Sequence, residues 1–182
     1  MRIWTSVLAA VSVAVAPLAV ASPATARSIG VADETGDTLD AGLDITYVTF
    51  RNRDRVIQAS LNFHRDRRGT VIVFAEARNG PGVRIVIQHP SKGADETFVI
   101  NARGKEVSCR GGADGPGVSS VWDRQTSTVT LRMPSRCMAG GNYGAVRFSA
   151  LIEGFRSQSS DVDYAPEKPN GDLAFTDFIS RG

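Results

Sequence analysis

The sequence predicts an all-β fold, an antiparallel two-sheet β-sandwich of about ten strands that follows a cleaved signal peptide. The chain consists of short runs of β-branched and aromatic residues separated by Gly, Pro, Asn and Asp, which is the pattern of strands joined by turns. No apolar spacing of three and four residues persists long enough to require a major helix. The choice between a jelly-roll and an immunoglobulin-like topology stays open.

The clearest strand is RVIQASLNF, in which Ile57, Ala59, Leu61 and Phe63 alternate with polar residues. This period of two gives one apolar and one wet face, as in a half-buried strand. The other strand candidates are ITYVTF before it and TVIVFAEA, VRIVIQ, TFVI, EVSC, SSVW, TVTLRM and AVRFSALI after it, with a weaker one around Phe175 and Phe178.

Turn and loop segments separate these strands. The sequence Asn79-Gly80-Pro81-Gly82 joins TVIVFAEA to VRIVIQ and predicts a tight reversal. The stretch 157–172, SQSSDVDYAPEKPNGD, is polar and contains prolines. It predicts a surface connection to a last edge strand or tail.

The N-terminal segment has the layout of a secretory signal peptide. A basic start is followed by the charge-free stretch IWTSVLAAVSVAVAPLAV and by A-x-A patterns. Because this stretch approaches the length of a bilayer span, an uncleaved membrane anchor is the alternative. Pro17 and the small residues after it favour cleavage after Ala26. The sequence therefore predicts a signal peptide at 1–26, a secreted extracellular protein with no stable membrane insertion after cleavage, and one domain at 27–182.

The charge balance argues against a nucleic-acid partner. The chain carries 21 Lys and Arg against 19 Asp and Glu, a formal net charge of +2, and the predicted cleavage removes one basic residue, Arg2. The net charge of a nearly neutral domain gives no reason to expect binding to nucleic acid or to an anionic membrane surface. Most of the basic residues are Arg, which the composition of the source genome explains as readily as a function does.

Cys109 and Cys137 are the only cysteines in the chain. In an exported protein such a pair predicts a disulfide, worth about 3.6 kcal/mol in the chain-entropy model for the loop that it closes. A redox-active pair would be expected as Cys-x-x-Cys, and a zinc site would need more ligands than these cysteines and two distant histidines. The pair is therefore predicted to be structural.

The acidic run DETGDTLDAGLD, just before the first clear strand, raises the question of a metal site. It does not fit the helix-flanked calcium loop, because Thr38 falls where Gly is required and Asp44 replaces the bidentate Glu. The interpretation that the sequence favours is that these acids form Asx turns and keep a sheet edge polar.

A looser oxygen-ligand site is the alternative, because the first and last strands of a sandwich often lie close together. Its candidate ligands are the acids at the two ends of the domain: Asp33, Asp37, Asp161 and Asp163. Calcium takes at least about six oxygen ligands, of which the sequence supplies only part. We therefore predict no cofactor, or at most a structural calcium ion.

Three short segments carry a resemblance to a known group of proteins. They are the Gly-Asp-containing start of the first strand, a hairpin that ends in TVTLRMPSRC, and the segment DYAP at 163–166. Together they resemble secreted bacterial β-sandwich proteins whose architecture is similar to DOMON domains and family 9 carbohydrate-binding modules. The resemblance transfers no haem- or sugar-binding residue, because the only histidines, His64 and His89, lack the context of an axial-ligand pair.

Aromatic rings, which sugar-binding sandwiches use as stacking platforms, are scarce in this chain. Tyr143 lies among glycines in GGNYG, where a bulky ring has little local reason to be buried, so we predict an exposed ligand contact there. Trp122 is the only tryptophan after the predicted cleavage. It is the second ligand-binding candidate, although the large area that a Trp buries favours a place in the core.

These features predict a secreted module that binds an extracellular ligand, with carbohydrate or cell-wall glycan as the leading class. No nucleophile motif such as G-x-S-x-G or H-E-x-x-H is present, so no catalytic residue is assigned and an enzyme is not expected. One alternative is a sandwich-fold glycoside hydrolase with Glu76 and Glu153 as its acids. Another is a protein-binding or inhibitor module that presents the loop CRGGADGPG, which begins at Cys109.

Overall fold

The strands pair into a β-sandwich of two antiparallel five-stranded sheets. The computed structural model describes residues 27–37, 43–64, 68–90, 92–111, 115–154 and 162–182. The predicted signal peptide lies outside these ranges. Within them, no helix has the length and apolar character needed to cross a membrane. The predicted all-β sandwich fold is confirmed.

The strands, in chain order, are β1 (Arg27–Ala32), β2 (Ile45–Asn52), β3 (Val56–Phe63), β4 (Gly69–Ala77), β5 (Val83–His89), β6 (Glu96–Asn101), β7 (Ser119–Asp123), β8 (Thr128–Pro134), β9 (Val146–Gly154) and β10 (Val162–Ala165). Sheet A has the order β1-β2-β3-β8-β7, and sheet B has the order β10-β9-β4-β5-β6. Two short 3₁₀ turns, Ser135–Cys137 and Ala139–Gly141, connect β8 to β9. The edge strands β1 and β10 lie on the same side of the sandwich, since β10 also contacts β2.

The core lies between the two sheets and is built from alternate residues of each strand. In β3 the apolar residues of the alternating pattern, such as Ile57 and Leu61, are fully buried, whereas the polar residues between them face outward. Across the interface Phe50 of β2 stacks on Phe148 of β9, with ring centroids 5.1 Å apart. Burial of each such side chain stabilises the fold by about 1.5–3 kcal/mol.

One predicted strand, EVSC, is wrong. After β6 the chain reverses tightly, because the side-chain oxygen of Asn101 accepts the backbone N–H groups of Arg103 and Lys105. Glu106 then makes only an isolated bridge to Ile100. The segment leaves the sheet shortly afterwards, since Cys109 is bonded to a distant part of the chain.

The predicted strand around Phe175 and Phe178 is also wrong, although this segment does lie against a sheet edge. Thr176 donates its backbone N–H to the Phe148 carbonyl, and Ile179 exchanges backbone hydrogen bonds with Val146 of β9. These contacts amount to an isolated bridge at Ile179 and not to a ladder. The Asn52 amide of β2 donates to the Ile179 carbonyl at 2.9 Å, so the segment joins the two sheets at one end of the sandwich.

The prediction that 157–172 is only a surface connection needs correction as well. Residues 155–161 lie outside the described ranges, but the next four residues form β10, which pairs with β9. Asp163 and Ala165 of this strand point inward and are buried. The polar composition concealed β10, because one of its two inward residues is an aspartate.

Candidate functional site

An acidic cluster forms at the end of the sandwich where β1 and β2 join. Asp33 continues the ladder past β1 by donating its backbone N–H to the Thr46 carbonyl at 3.1 Å. Gly36 has a φ of 87°, a conformation open mainly to glycine. This turn lets the Gly36 N–H donate to the Asp44 carboxylate at 2.9 Å, so the loop folds back over the start of β2.

The last strand brings a further carboxylate to this loop. Asp163 of β10 is only 4% exposed, and its carboxylate accepts the Ile45 N–H of β2 at 2.7 Å. One carboxylate oxygen each of Asp33, Asp37 and Asp163 lie within 4.8 Å of one another. The structure therefore brings together three of the four acids named as metal candidates. The fourth, Asp161, lies outside the described residues.

The environment of the acidic cluster disfavours the ionised carboxylates. Burial and the charges of Asp163 and Asp37 raise the pKa of Asp33 to about 8. Burial raises the pKa of Asp163 to about 7, against the opposing effect of the hydrogen bond from Ile45. Burial also raises the pKa of Asp37. Within the described residues, no salt bridge to Lys or Arg neutralises these acids.

A basic cleft, which we call the arginine cleft, lies at the opposite end of β2. It has a volume of about 530 Å³, within the usual range for small-molecule sites. Its lining residues come from the β2–β3 turn, the loop before β7, the end of β8 with the following 3₁₀ turn, and the C-terminal segment: Asp54, Arg55, Val56, Pro116, Gly117, Ser119, Arg132, Pro134, Ser135, Arg136 and Arg181. Four of these described lining residues are arginines, and one, Asp54, is an acid.

Two of these arginines are held in place by neutral acceptors. Arg181 donates to the Gly141 carbonyl at 2.6 Å, to the Asp54 carbonyl and to the Ser135 hydroxyl. Arg136 reaches the carbonyls of Arg110, Gly115 and Pro116 at 3.5, 3.4 and 3.3 Å. These contacts fix the two side chains in place.

The other two arginines, Arg55 and Arg132, project from the walls of the cleft. Both are exposed, and no hydrogen bond or ion pair within the described ranges holds either guanidinium. Each keeps its five N–H donors for an incoming group. The arginine cleft therefore combines two arginines that hydrogen bonds hold in place with two exposed arginines that can bind a ligand.

The predicted disulfide supports one wall of this cleft. Cys109 and Cys137 are bonded, with their Cα atoms 5.3 Å apart. The bond holds the glycine-rich loop that starts at Cys109 against the 3₁₀ turn that carries Arg136. The loop tip at 112–114 lies outside the described residues; it is part of the loop that a protein-binding or inhibitor module would present to its partner.

The expectation that Tyr143 is an exposed ligand contact is wrong. Its side chain is 0% exposed, its hydroxyl donates to the Asn52 side chain at 3.2 Å, and Arg181 covers its ring at 5.2 Å. The surrounding glycines permit the positive φ angles, 87° at Gly141 and 67° at Gly144, that fold the loop back onto the core. The glycines around Tyr143 therefore let its ring fold into the core instead of projecting into solvent.

Trp122 is half-buried and packs against the core. Its ring stacks on Phe63 at 5.6 Å and on His89 at 4.7 Å between centroids, with near-parallel planes in both pairs. These neighbours come from both sheets, which agrees with a core role. Much of the ring area that a sugar would need is covered.

The two acids considered for glycoside hydrolysis lie far apart. In the ladder between β4 and β9, Glu76 faces Arg147 and Glu153 faces Thr70. At about 3.4 Å per residue this register separates the two acids by about 20 Å. Glycosidase pairs need about 5–9.5 Å, and Glu76 is already paired with Arg147 at 2.6 Å. These acids do not form a catalytic pair.

Sequence reasoning did not identify the arginine cleft. Arg55, Arg132, Arg136 and Arg181 follow no common spacing, and only the strand order brings them together. Among models of protein families and among curated proteins, no match to this chain is found. The two charged sites are therefore interpreted from their own geometry.

Proposed function

We propose that the protein is a secreted, non-catalytic module that binds an anionic carbohydrate, such as a cell-wall polymer bearing carboxylate groups, in the arginine cleft. The observation that carries the proposal is the set of four guanidiniums around one open cleft, of which Arg55 and Arg132 have no partner within the described residues. Guanidinium groups bind carboxylates and phosphates through paired hydrogen bonds.

The geometry favours an extended anion over a single small one. The guanidiniums come from three separate segments of the chain, the β2–β3 turn, the end of β8 with its 3₁₀ turn, and the C-terminal segment, so no single group would contact all of them. An acidic polysaccharide repeats its carboxylate along the chain and would offer one group to each arginine in turn. Its sugar rings would also contact the apolar walls supplied by Val56, Pro116 and Pro134.

Binding is favoured over catalysis because the cleft brings together cations and no pair of acids. Among its described lining residues the one acid is Asp54, whereas acid–base hydrolysis of a glycosidic bond uses two. The positive charge instead supplies attraction and orientation for the ligand. The competing hypothesis is that the partner is a protein with an acidic segment. The titrations distinguish the two hypotheses by including an acidic peptide.

The test is calorimetric titration of the wild type with an oligogalacturonate, a neutral gluco-oligosaccharide of equal length, and an oligoglutamate peptide. We expect binding to the uronate, weakening with added salt, and none to the neutral sugar. Arg132→Gln and Arg55→Gln should each lower the affinity by about 10–100-fold, the usual value of a charged hydrogen bond. The matched control is Arg103→Gln, which removes an exposed charge outside the cleft.

Four results would overturn the proposal. Equal binding of neutral and acidic sugars would show that binding does not depend on charge. Equal losses of affinity in Arg132→Gln and Arg103→Gln would show that the ligand does not bind in the cleft. Binding of the peptide but not of the uronate would replace carbohydrate by protein as the partner. Release of reducing sugar from any polymer would contradict the non-catalytic assignment.

A further inference from the structure

We infer that the acidic cluster is a calcium site, formed by Asp33, Asp37 and Asp163 and flanked by Asp44. The three oxygens that lie within 4.8 Å of one another have the spread expected around one Ca²⁺. Calcium binds oxygen at about 2.3–2.6 Å, so two ligands of one ion lie at most about 5 Å apart. The site is separate from the arginine cleft and does not depend on the proposed function.

A second observation, on a residue outside this trio, points to a bound cation. Asp44 is only 4% exposed, and its Oδ1 is buried without a hydrogen-bond partner. Its Oδ2 accepts the Gly36 N–H from the loop that carries Asp33 and Asp37. The carboxylate is therefore fixed inside this loop, with one oxygen left for a further ligand.

Asp33 also has an unsatisfied carboxylate oxygen, since its Oδ2 is buried without a hydrogen-bond partner. A buried polar atom with no partner costs free energy, and here two such atoms belong to one loop. A protein donor would satisfy one carboxylate oxygen at a time. A cation in the cluster would satisfy the Asp33 oxygen and would also offset the repulsion among these acids.

The chemistry of the site selects a hard cation. All of the ligands are carboxylate oxygens, with no His or Cys among them, which suits calcium or magnesium and not zinc or copper. Magnesium requires near-ideal octahedral geometry and short bonds, whereas calcium accepts irregular and bidentate carboxylates. Ligands from a loop and from β10 form an irregular set, so calcium is the better fit.

The position of the site gives the ion a structural effect. Asp33, Asp37 and Asp44 belong to the β1–β2 side of sheet A, and Asp163 belongs to sheet B. A cation bound by Asp33, Asp37 and Asp163 would cross-link the two sheets at their shared edge. Because it would bind the folded chain and not the unfolded one, it would raise the melting temperature.

The experiment uses protein stripped with EDTA and then titrated with CaCl₂ or MgCl₂, followed by calorimetry and thermal melting. We expect a 1:1 calcium complex and, at about 100-fold excess over Kd, a melting temperature about 5–10 °C higher. Magnesium should give a smaller shift. Asp37→Asn, at an exposed ligand that no fold contact requires, should weaken calcium binding by about tenfold or more while leaving the melting temperature in EDTA within about 2 °C of wild type.

Glu34→Gln is the matched control, because Glu34 is exposed in the same loop but outside the cluster. It should keep wild-type calcium affinity. Asp44→Asn removes a neighbouring negative charge that acts on Asp37 and should also weaken binding. The absence of any calcium heat or thermal shift at millimolar CaCl₂ would overturn the inference, as would equal calcium affinities in Asp37→Asn and Glu34→Gln.

Discussion

Asp163 in β10 accepts the backbone N–H of Ile45 at the start of β2 at 2.7 Å, a hydrogen bond across 118 residues of sequence. This one buried carboxylate joins sheet B to sheet A. It also lies beside Asp33, whose pKa is raised to about 8, while its own is raised to about 7. The same edge thus combines a structural contact with electrostatic repulsion.

This repulsion predicts an unusual pH dependence of stability in the cation-free protein. Both folded pKa values exceed the ordinary 3.8, so between pH 4 and 8, as rough limits, the folded state binds more protons than the unfolded state. The free energy of unfolding from these groups therefore falls as the pH rises through that window. Melting in EDTA should occur at least about 3 °C higher at pH 5 than at pH 8.

The neighbouring charges that act on this pair are those of Asp37 and Glu167, and Asp44 and Glu34 act through Asp37. All are acids, so their ionisation reinforces the trend. Asp163→Asn keeps an acceptor for Ile45 and should flatten the profile. A melting temperature that rises from pH 5 to pH 8 in EDTA would contradict the raised pKa values.

Tyr143 provides a test of the polar contact in the core. Tyr143→Phe removes the donor to Asn52, which is fully buried, and should cost about 1–3 kcal/mol. Tyr143→Ala also leaves a cavity and should cost about 3–5 kcal/mol. Urea unfolding measures both. Equal values for the two variants would show that ring packing contributes nothing.

Loss of the disulfide should destabilise the fold substantially. The Cys109–Cys137 bond closes a loop with a sequence separation of 28, so replacing both residues by Ser should cost about 2–5 kcal/mol. Chemical denaturation of the double variant and of the reduced wild type should agree. A loss below about 1 kcal/mol in both would mean that the sheets alone fix this loop.

The ion pair of Glu76 and Arg147 should contribute little to stability. Both side chains are 42% exposed, and solvent-exposed pairs couple by about 0.2–1 kcal/mol. A double-mutant cycle with Glu76→Gln and Arg147→Gln measures the coupling. A value above about 2 kcal/mol would show that the rings of Phe175 and Phe178, which lie against the Arg147 guanidinium, shield the pair from water.

The fold was predictable where local pattern and packing agree. Alternation identified β3 because its inward face is uniformly apolar, whereas β10 was missed because Asp163 occupies an inward position. The proximity of Asp33 and Asp163 followed from the adjacency of first and last strands. Tyr143 was mispredicted because Asn52, its buried partner, is 91 residues away in the sequence, and no local pattern records such a contact.

The arginine cleft was beyond sequence reasoning for a similar reason. Its four arginines are scattered from Arg55 to Arg181 and have no periodicity that a sequence pattern reveals. Only the β-sandwich topology places the turn after β2, the end of β8 and the C-terminal segment side by side. The abundance of Arg in the composition was visible, but its three-dimensional clustering was not.

The acidic cluster and the arginine cleft lie at opposite ends of β2, about 24 Å apart at about 3.4 Å per residue. Because the pKa values of Asp33 and Asp163 are raised to about 8 and about 7, the acidic end becomes fully negative only above about pH 8, and a dipole moment along β2 grows as the pH rises. In the field of a polyanionic surface, such a dipole experiences a torque that turns the arginine end inward before any contact forms. Calcium on the acidic end would remove part of the negative pole, making the molecule more cationic overall while weakening the torque that orients it.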